Sequence, residues 1–371
     1  MSMGLFHFWD DCSRSVAYAC KRRASTLTAM STTPDHDPLR HEWLPVANAS
    51  AICVQQPLAF TLAGEKLVAW RDTAGQAHVW RDRCPHRGAA LSLGQVVGDT
   101  LVCPYHGWVF GGDGRCQRMP AHPGFEPPAK AAARALAVRE RYGIVWACLD
   151  DPARELALFP EYDLPGTRCI HLAPLEVRTS APRLVENFLD MAHFAFVHGG
   201  ILGDLAHTEV RGYAVESSPQ GVVARDCFAW QPAGFPGQEG DEVEYVYEVR
   251  RPIVAMLTKR TAPRPGAVPE VLHLLLALAP VDECRTRAWL VSVFDGNTSA
   301  SDQALHDFNA DIFQQDVPIV ESQSPRWLPL EPGAELPQAA DRMSIAYRRW
   351  LVQGGWSYGT SLGRAARQAA A

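Results

Sequence analysis

Within thirty residues, RDRCPHRGAALSLGQVVGDTLVCPYHGWVF sets two cysteines and two histidines in short pairs, Cys84-x-His86 and Cys103-x-x-His106, with sixteen residues between them. Thiolate and imidazole ligands placed this close in sequence are metal ligands first and core residues second. Two chemistries use the combination: a structural zinc, and an iron–sulfur centre in which two thiolates hold one iron and two imidazoles the other. The one-residue gap in the first pair is shorter than usual zinc-knuckle spacing, which favours iron–sulfur. Each pair also opens a loop carrying Pro and Gly, Cys84-Pro85-His86-Arg87-Gly88 and Cys103-Pro104-Tyr105-His106-Gly107. Proline fixes the approach, and glycine lets backbone amides come close to cluster sulfurs. Cys116 lies outside this set and reads as a packed thiol.

Around these loops the chain consists of short β-rich runs broken by turns: LAFTLAG, KLVAWRD, AHVWRD and YGIVWACLD, with TAGQ and GGDG among the breaks. They predict a small antiparallel β domain over residues 36–155, in which the Pro- and Ala-rich stretch 123–137 is a connecting excursion. Residues 1–35 are expected to be a disordered extension, and 1–29, ahead of Met30, are left out of the fold as an extension or a misplaced start. Over 156–355, helices flank further β-rich runs, including EVEYVYEVRRPIVAMLTKR and VLHLLLALAPV. That order predicts an antiparallel sheet with helices on one face, and 356–371 reads as a tail.

The segment SAPRLVENFLDMAHFAFVHGG reads as one helix over 181–198. Ser180 caps it, Pro182 suits its first turn, Leu184, Phe188, Met191 and Ala195 repeat at three or four, and Gly199-Gly200 end it. On such a helix Asn187, Asp190 and His193 share a face, while His198 stands about 140° from His193 unless the helix unwinds near its end. Two imidazoles brought together with positions left open suit ferrous iron in a two-His one-carboxylate triad. Taken alone, D-x-x-H-x-x-x-x-H is better explained by solvated or core histidines.

Together, the Cys84/His86/Cys103/His106 segment and the pattern Glu186-Asn187-x-x-Asp190-x-x-His193-x-x-x-x-His198 resemble the Rieske non-heme iron oxygenases. Respiratory Rieske proteins carry an additional Cys in each loop, where this chain has Ala89 and Tyr105; that departure points to the oxygenase branch. The resemblance implies an α+β chain, an N-terminal antiparallel β Rieske domain followed by a catalytic domain of helix-grip type. It implies one 2Fe-2S Rieske cluster on Cys84, His86, Cys103 and His106, and one mononuclear Fe(II) on His193, His198 and a carboxylate from a late helix. It further implies a head-to-tail homotrimer in which Asp190 bridges His106 of one subunit and His193 of the next, with Asn187 a second catalytic candidate beside it. The late helix, about 301–323, offers Asp302, Asp307, Asp311, Asp316 and Glu321. The helical neighbours of Asp316 are Ile312, Phe313, Ile319 and Val320, all apolar, whereas those of Asp311 are mostly polar. Asp316 is therefore the expected ligand, a buried carboxylate that needs a cation. Pro318 is expected to distort the helix and help aim it, and QQDVPIVESQ resembles the family's segment.

The function so implied is that of a terminal oxygenase, similar to vanillate O-demethylase-type monooxygenases, that uses O2 to hydroxylate or oxidatively demethylate a small aromatic or apolar substrate. Ring dihydroxylation by the same centres is the alternative, and a Rieske electron carrier and a zinc-stabilised binding module are the competing classes. With no G-x-G-x-x-G after a strand, electrons are expected from a separate NAD(P)H-dependent reductase, a ferredoxin, or both. Phe194, Phe196 and the strand residues 271–278 are candidates for an apolar pocket, and Trp108 for a shield over the cluster. A formal charge of −6 without a basic stripe excludes nucleic acid as a partner. The longest apolar run, 271–281, is interrupted by His273 and reads as a buried strand, not a membrane span. Mostly isolated cysteines and no secretory leader suit the cytoplasm.

Overall fold

A computed structural model describes residues 37–236, 240–262, 268–295 and 298–370; the expected extension over 1–35 lies outside them. Residues 44–148 form three small antiparallel sheets. Leu44–Asn48, Ile144–Cys148 and Ala137–Arg141 make the first; Leu58–Leu62, Glu65–Arg71 and Ala77–Arg81 the second; Gln95–Val97, Thr100–Val102, Val109–Gly111 and Cys116–Arg118 the third. Trp70, Trp80, Leu91, Leu101 and Phe110 are fully buried and form the floor on which the Cys84 and Cys103 loops stand. Trp80 meets Trp70 edge-on at 5.1 Å, a favoured aromatic arrangement that stiffens this floor.

The second domain is built on an eight-stranded antiparallel sheet. Its path runs Arg168–His171, Arg285–Phe294, Val271–Asp282, Val254–Thr261, Asp241–Arg251, Gly221–Gln231, Ala214–Ser218, and Leu175–Val177 also pairs with Arg285–Phe294. In Asp241–Arg251 the buried residues alternate, Val243, Tyr245, Tyr247 and Val249, as a strand with one face against helices requires. Helix α1 (Ala181–Phe188) packs on Val254–Thr261 and Val271–Asp282, and against α1 lies the long helix α3 (Asp302–Ser322); between them comes the single turn α2 (Phe194–Val197). The Ser301 hydroxyl caps α3 by accepting the Ala304 amide at 3.2 Å. The Ala63 and Gly64 amides donate to the carbonyls of Pro280 and Val281 at 2.7 and 2.8 Å, tying the first domain to the catalytic sheet.

Two expectations need correction. The helix read over 181–198 ends at Phe188, because the Asp190 carboxylate accepts the Ala192 amide at 2.9 Å and turns the chain out of the helix. Asp190 and His193 therefore do not share a helix face with Asn187. The residues past 355, read as a tail, return to the domain: Trp356 is buried, Leu328 bridges Thr360, and α5 (Ser361–Ala370) follows α4 (Arg342–Gln353). An apolar ring as large as Trp356 draws its segment onto the core.

Candidate metal centres

The Cys84 and Cys103 loops share one hydrogen-bond frame. Cys84 N–H donates to Ala89 at 2.8 Å and Gly88 N–H to Cys84 at 2.9 Å; Cys103 N–H donates to Trp108 at 2.8 Å and Gly107 N–H to Cys103 at 3.1 Å. Gly88 and Gly107 have φ of 74° and 67°, left-handed values that other residues adopt with strain. This frame explains why each glycine falls four residues after its cysteine although the histidine gaps differ. The thiols are buried side by side, and burial, with Cys103 alongside, pushes the Cys84 thiol up to about 11. Such a group becomes a thiolate when a metal supplies the positive charge. The histidines instead stand at the surface, His86 and His106 with ring centroids 4.5 Å apart. Two thiols and two imidazoles are the donor set of a 2Fe-2S cluster, which these four residues would hold. Trp108 stacks on His86 at 4.7 Å and 3° between planes, which fixes that imidazole.

The second set assembles from the break after α1 and the middle of α3. His193 Nε2 and His198 Nε2 are 3.2 Å apart, and Asp316 Oδ1 lies 3.5 and 3.3 Å from them. Neighbouring ligands held about 2.1 Å from one ion stand about 3 Å from each other, so these three atoms fit a single metal. Both remaining imidazole nitrogens are engaged: His193 Nδ1 with Asp190 Oδ2 at 2.9 Å, His198 Nδ1 with Gln315 Oε1 at 2.8 Å. This leaves Nε2 of each ring as the free ligand atom, the arrangement outer partners give metal-binding histidines. Asn187 Nδ2 donates to Asp316 Oδ1 at 3.2 Å. Burial works to raise the Asp190 carboxyl, but its bonds to His193 and the Ala192 amide outweigh that and hold it below the usual range. At Gly203 a side chain would meet the Ala195 backbone nitrogen at 2.7 Å, so the close approach that seats α2 requires glycine.

Of the acidic residues on α3, Asp316 is buried and Asp302, Asp307 and Asp311 are exposed, while Glu321 pairs with Arg178 at 2.8 Å. The helix continues through Pro318. Beside the three ligand atoms opens a pocket lined by side chains of α1, α3 and the large sheet. Its wall is apolar and includes Phe194, Leu272, Leu274 and Leu276 from the expected set. Phe196 is instead 68% exposed. Tyr245, Tyr247, Lys259 and Phe308 also line the pocket and were not foreseen; alternation in EYVYEV was the available signal for the tyrosines.

Gln315→Leu removes the partner of His198 Nδ1 without touching a ligand atom. Its expected effect is a loss of roughly 10- to 100-fold in ferrous-iron affinity with the cluster absorbance unchanged, measured by iron titration of the metal-depleted protein.

Two thiols beneath two imidazoles in one domain, and two imidazoles with a carboxylate beside an apolar pocket in the next, are the parts of an iron-dependent oxygenase. Comparison with known proteins narrows this class. Residues 42–133 match the Rieske [2Fe-2S] domain, and residues 177–353 match the vanillate O-demethylase oxygenase C-terminal domain. The methylxanthine N1-demethylase of Pseudomonas putida is 33% identical over 339 residues, which span 84% of this chain and 88% of that protein. The methylxanthine N3-demethylase of the same organism is 31% identical, again over 84% and 88%. The structure of P. putida CBB5 NdmA with caffeine superposes with a TM-score of 0.73 at 31% identity, covering 85% of this chain and 90% of that one. The chain belongs to the Rieske non-heme iron oxygenases, as a terminal oxygenase that hydroxylates or oxidatively demethylates a small organic substrate. Among the described residues no helix is long and apolar enough to cross a membrane.

Proposed function

We propose that this chain removes a methyl group oxidatively from nitrogen or oxygen of a small aromatic or heteroaromatic substrate. The observation that carries the reading is the convergence of His193 Nε2, His198 Nε2 and Asp316 Oδ1 at the wall of an apolar pocket. Relatives named as N-demethylases over most of this chain's length support the choice of reaction. When bound, the cluster on Cys84, His86, Cys103 and His106 supplies electrons singly, and ferrous iron on the triad activates O2. The chain's own residues do the rest. Asp190 and Gln315 fix the imidazoles, Asn187 orients the Asp316 carboxylate, and the leucine and phenylalanine wall excludes water and places the methyl group.

The chain works as a homotrimer with a separate NAD(P)H-dependent reductase, acting directly or through a ferredoxin. Every described sheet is antiparallel, so none provides the parallel βαβ unit that binds a nicotinamide. Asp190 opens onto a surface cleft rimmed by Ile319, Leu336 and Val352, exposed apolar residues that suit a docked subunit. There Asp190 offers its carboxylate to His106 of the partner subunit.

The test is iron and acid-labile sulfide per chain after anaerobic incubation with ferrous iron, then formaldehyde release from N- and O-methylated aromatics with a matched reductase. Three irons, two sulfides and formaldehyde are expected. Two irons, two sulfides and no product would reduce the chain to an electron carrier.

A further inference from the structure

Away from the triad, the largely apolar pocket wall contains one buried amine. Lys259, on Val254–Thr261, is 3% exposed and lines the same pocket as His193, His198 and Asp316. Its Nζ donates to the Gly234 carbonyl and sits 4.7 Å from the Phe235 ring centroid, 5.7 Å from Tyr245 and 5.8 Å from Phe308. Aromatic faces stabilise a cation but accept no strong hydrogen bond, and an ammonium has three donors. Among the described residues no carboxylate is seen within ion-pair distance of it, and the field of Glu270 favours its charge. Burial lowers the Lys259 ammonium to about 7, the cost of leaving a charge in this wall without an anion.

Directly across the strand pair, Tyr245 faces Lys259 in register. The Tyr245 hydroxyl accepts from Gln231 Nε2 at 2.5 Å, which leaves its own proton to donate. Lys259 and Tyr245 thus present two donors side by side on one wall. Phe308, against Lys259, precedes Asp316 by eight residues on α3, about 12 Å along the helix axis. A molecule of one or two rings spans that separation.

We infer that Lys259, assisted by Tyr245, determines specificity by receiving an acceptor oxygen of a planar aromatic substrate, a carboxylate in preference to a carbonyl, while the opposite edge of the ring faces the His193, His198 and Asp316 triad. The assignment rests on the proposed demethylation for the identity of the site, and it names the class of molecule the site selects.

Binding is measured by calorimetry on the holoenzyme without reductant, so no turnover enters the readout. The probes are 4-methoxybenzoate and 4-methoxytoluene, the same ring with the acceptor replaced by a methyl group. Lys259→Met is expected to weaken 4-methoxybenzoate roughly 10- to 100-fold, the range for a hydrogen bond to a charged group. It should leave 4-methoxytoluene within about threefold. Tyr245→Phe is expected to weaken 4-methoxybenzoate by a smaller factor, roughly threefold to tenfold. Cluster absorbance, iron content and thermal unfolding of each variant establish that the fold is intact. Equal losses for both probes, no loss for 4-methoxybenzoate, or failure of the unsubstituted enzyme to bind 4-methoxybenzoate would each overturn the assignment. A wild-type enzyme that discriminates through Lys259 but forms no formaldehyde would count against demethylation and leave Lys259 in place.

Discussion

Asp316→Ala is expected to take the iron content from three to two per chain, to leave acid-labile sulfide at two, and to lower turnover by more than roughly 100-fold. The size of the effect follows from the make-up of the site. Outer partners of metal ligands are worth roughly 10- to 100-fold in affinity, and Asp316 is the proposed source of a ligand atom itself. It is also the carboxylate that meets both His193 Nε2 and His198 Nε2, at 3.5 and 3.3 Å, so two neutral imidazoles would remain to hold a dication. The fold should survive, because a buried carboxylate in the metal-free protein costs desolvation that alanine does not. Asp311→Ala is the matched control: it lies on the same helix, is exposed, and should change neither iron content nor rate. Iron analysis with cluster absorbance on both variants decides the matter. Three irons in Asp316→Ala would place the carboxylate ligand elsewhere.

The burial of Asp316 among five acidic residues was legible because α3 is an unbroken helix, and the three-and-four neighbour rule holds along its length. The cluster loops were legible for a similar reason. Ligand type, turn residues and spacing all sit within thirty residues, and backbone bonds internal to each loop reproduce the frame. The segment between Phe188 and His198 was misread because its apolar period continues through the break. What ends the helix is one side-chain bond, Asp190 to the Ala192 amide, and hydrophobic periodicity does not register it. Phe196, the other pocket candidate beside Phe194, lies beyond the break and is exposed. Lys259 was invisible for another reason. In LTKRT it looks like a solvated strand residue, and only pairing with Tyr245 on the neighbouring strand, with Phe235 and Phe308 closing around it, turns it inward. Pocket composition is a property of strand register and helix placement, which are long-range, whereas the cluster-loop pattern and the His193/His198 pair are each written locally.

Asp190→Ala separates the two halves of the enzyme without removing a ligand from either. Asp190 touches no ligand atom: it engages Nδ1 of His193, and its second oxygen accepts the Ala192 amide. Iron should remain at three and sulfide at two, with iron affinity reduced by no more than the roughly 10- to 100-fold of an outer partner. Turnover with the reductase should fall further than that, because the same carboxylate is the proposed contact with His106 of the partner subunit. Asp190→Asn sharpens the test. The amide keeps the shape and its oxygen can still accept the Ala192 N–H, but it carries no charge and sets its NH2 against the His193 Nδ1–H, donor against donor. If the bridge is electrostatic, Asn fails nearly as badly as Ala; if Asp190 only shapes the turn, Asn restores the rate. The readout that separates these cases is reoxidation of the pre-reduced cluster by O2 with substrate bound, followed by absorbance in a single turnover. Normal reoxidation in both variants would confine Asp190 to its local turn and require another contact between the subunits.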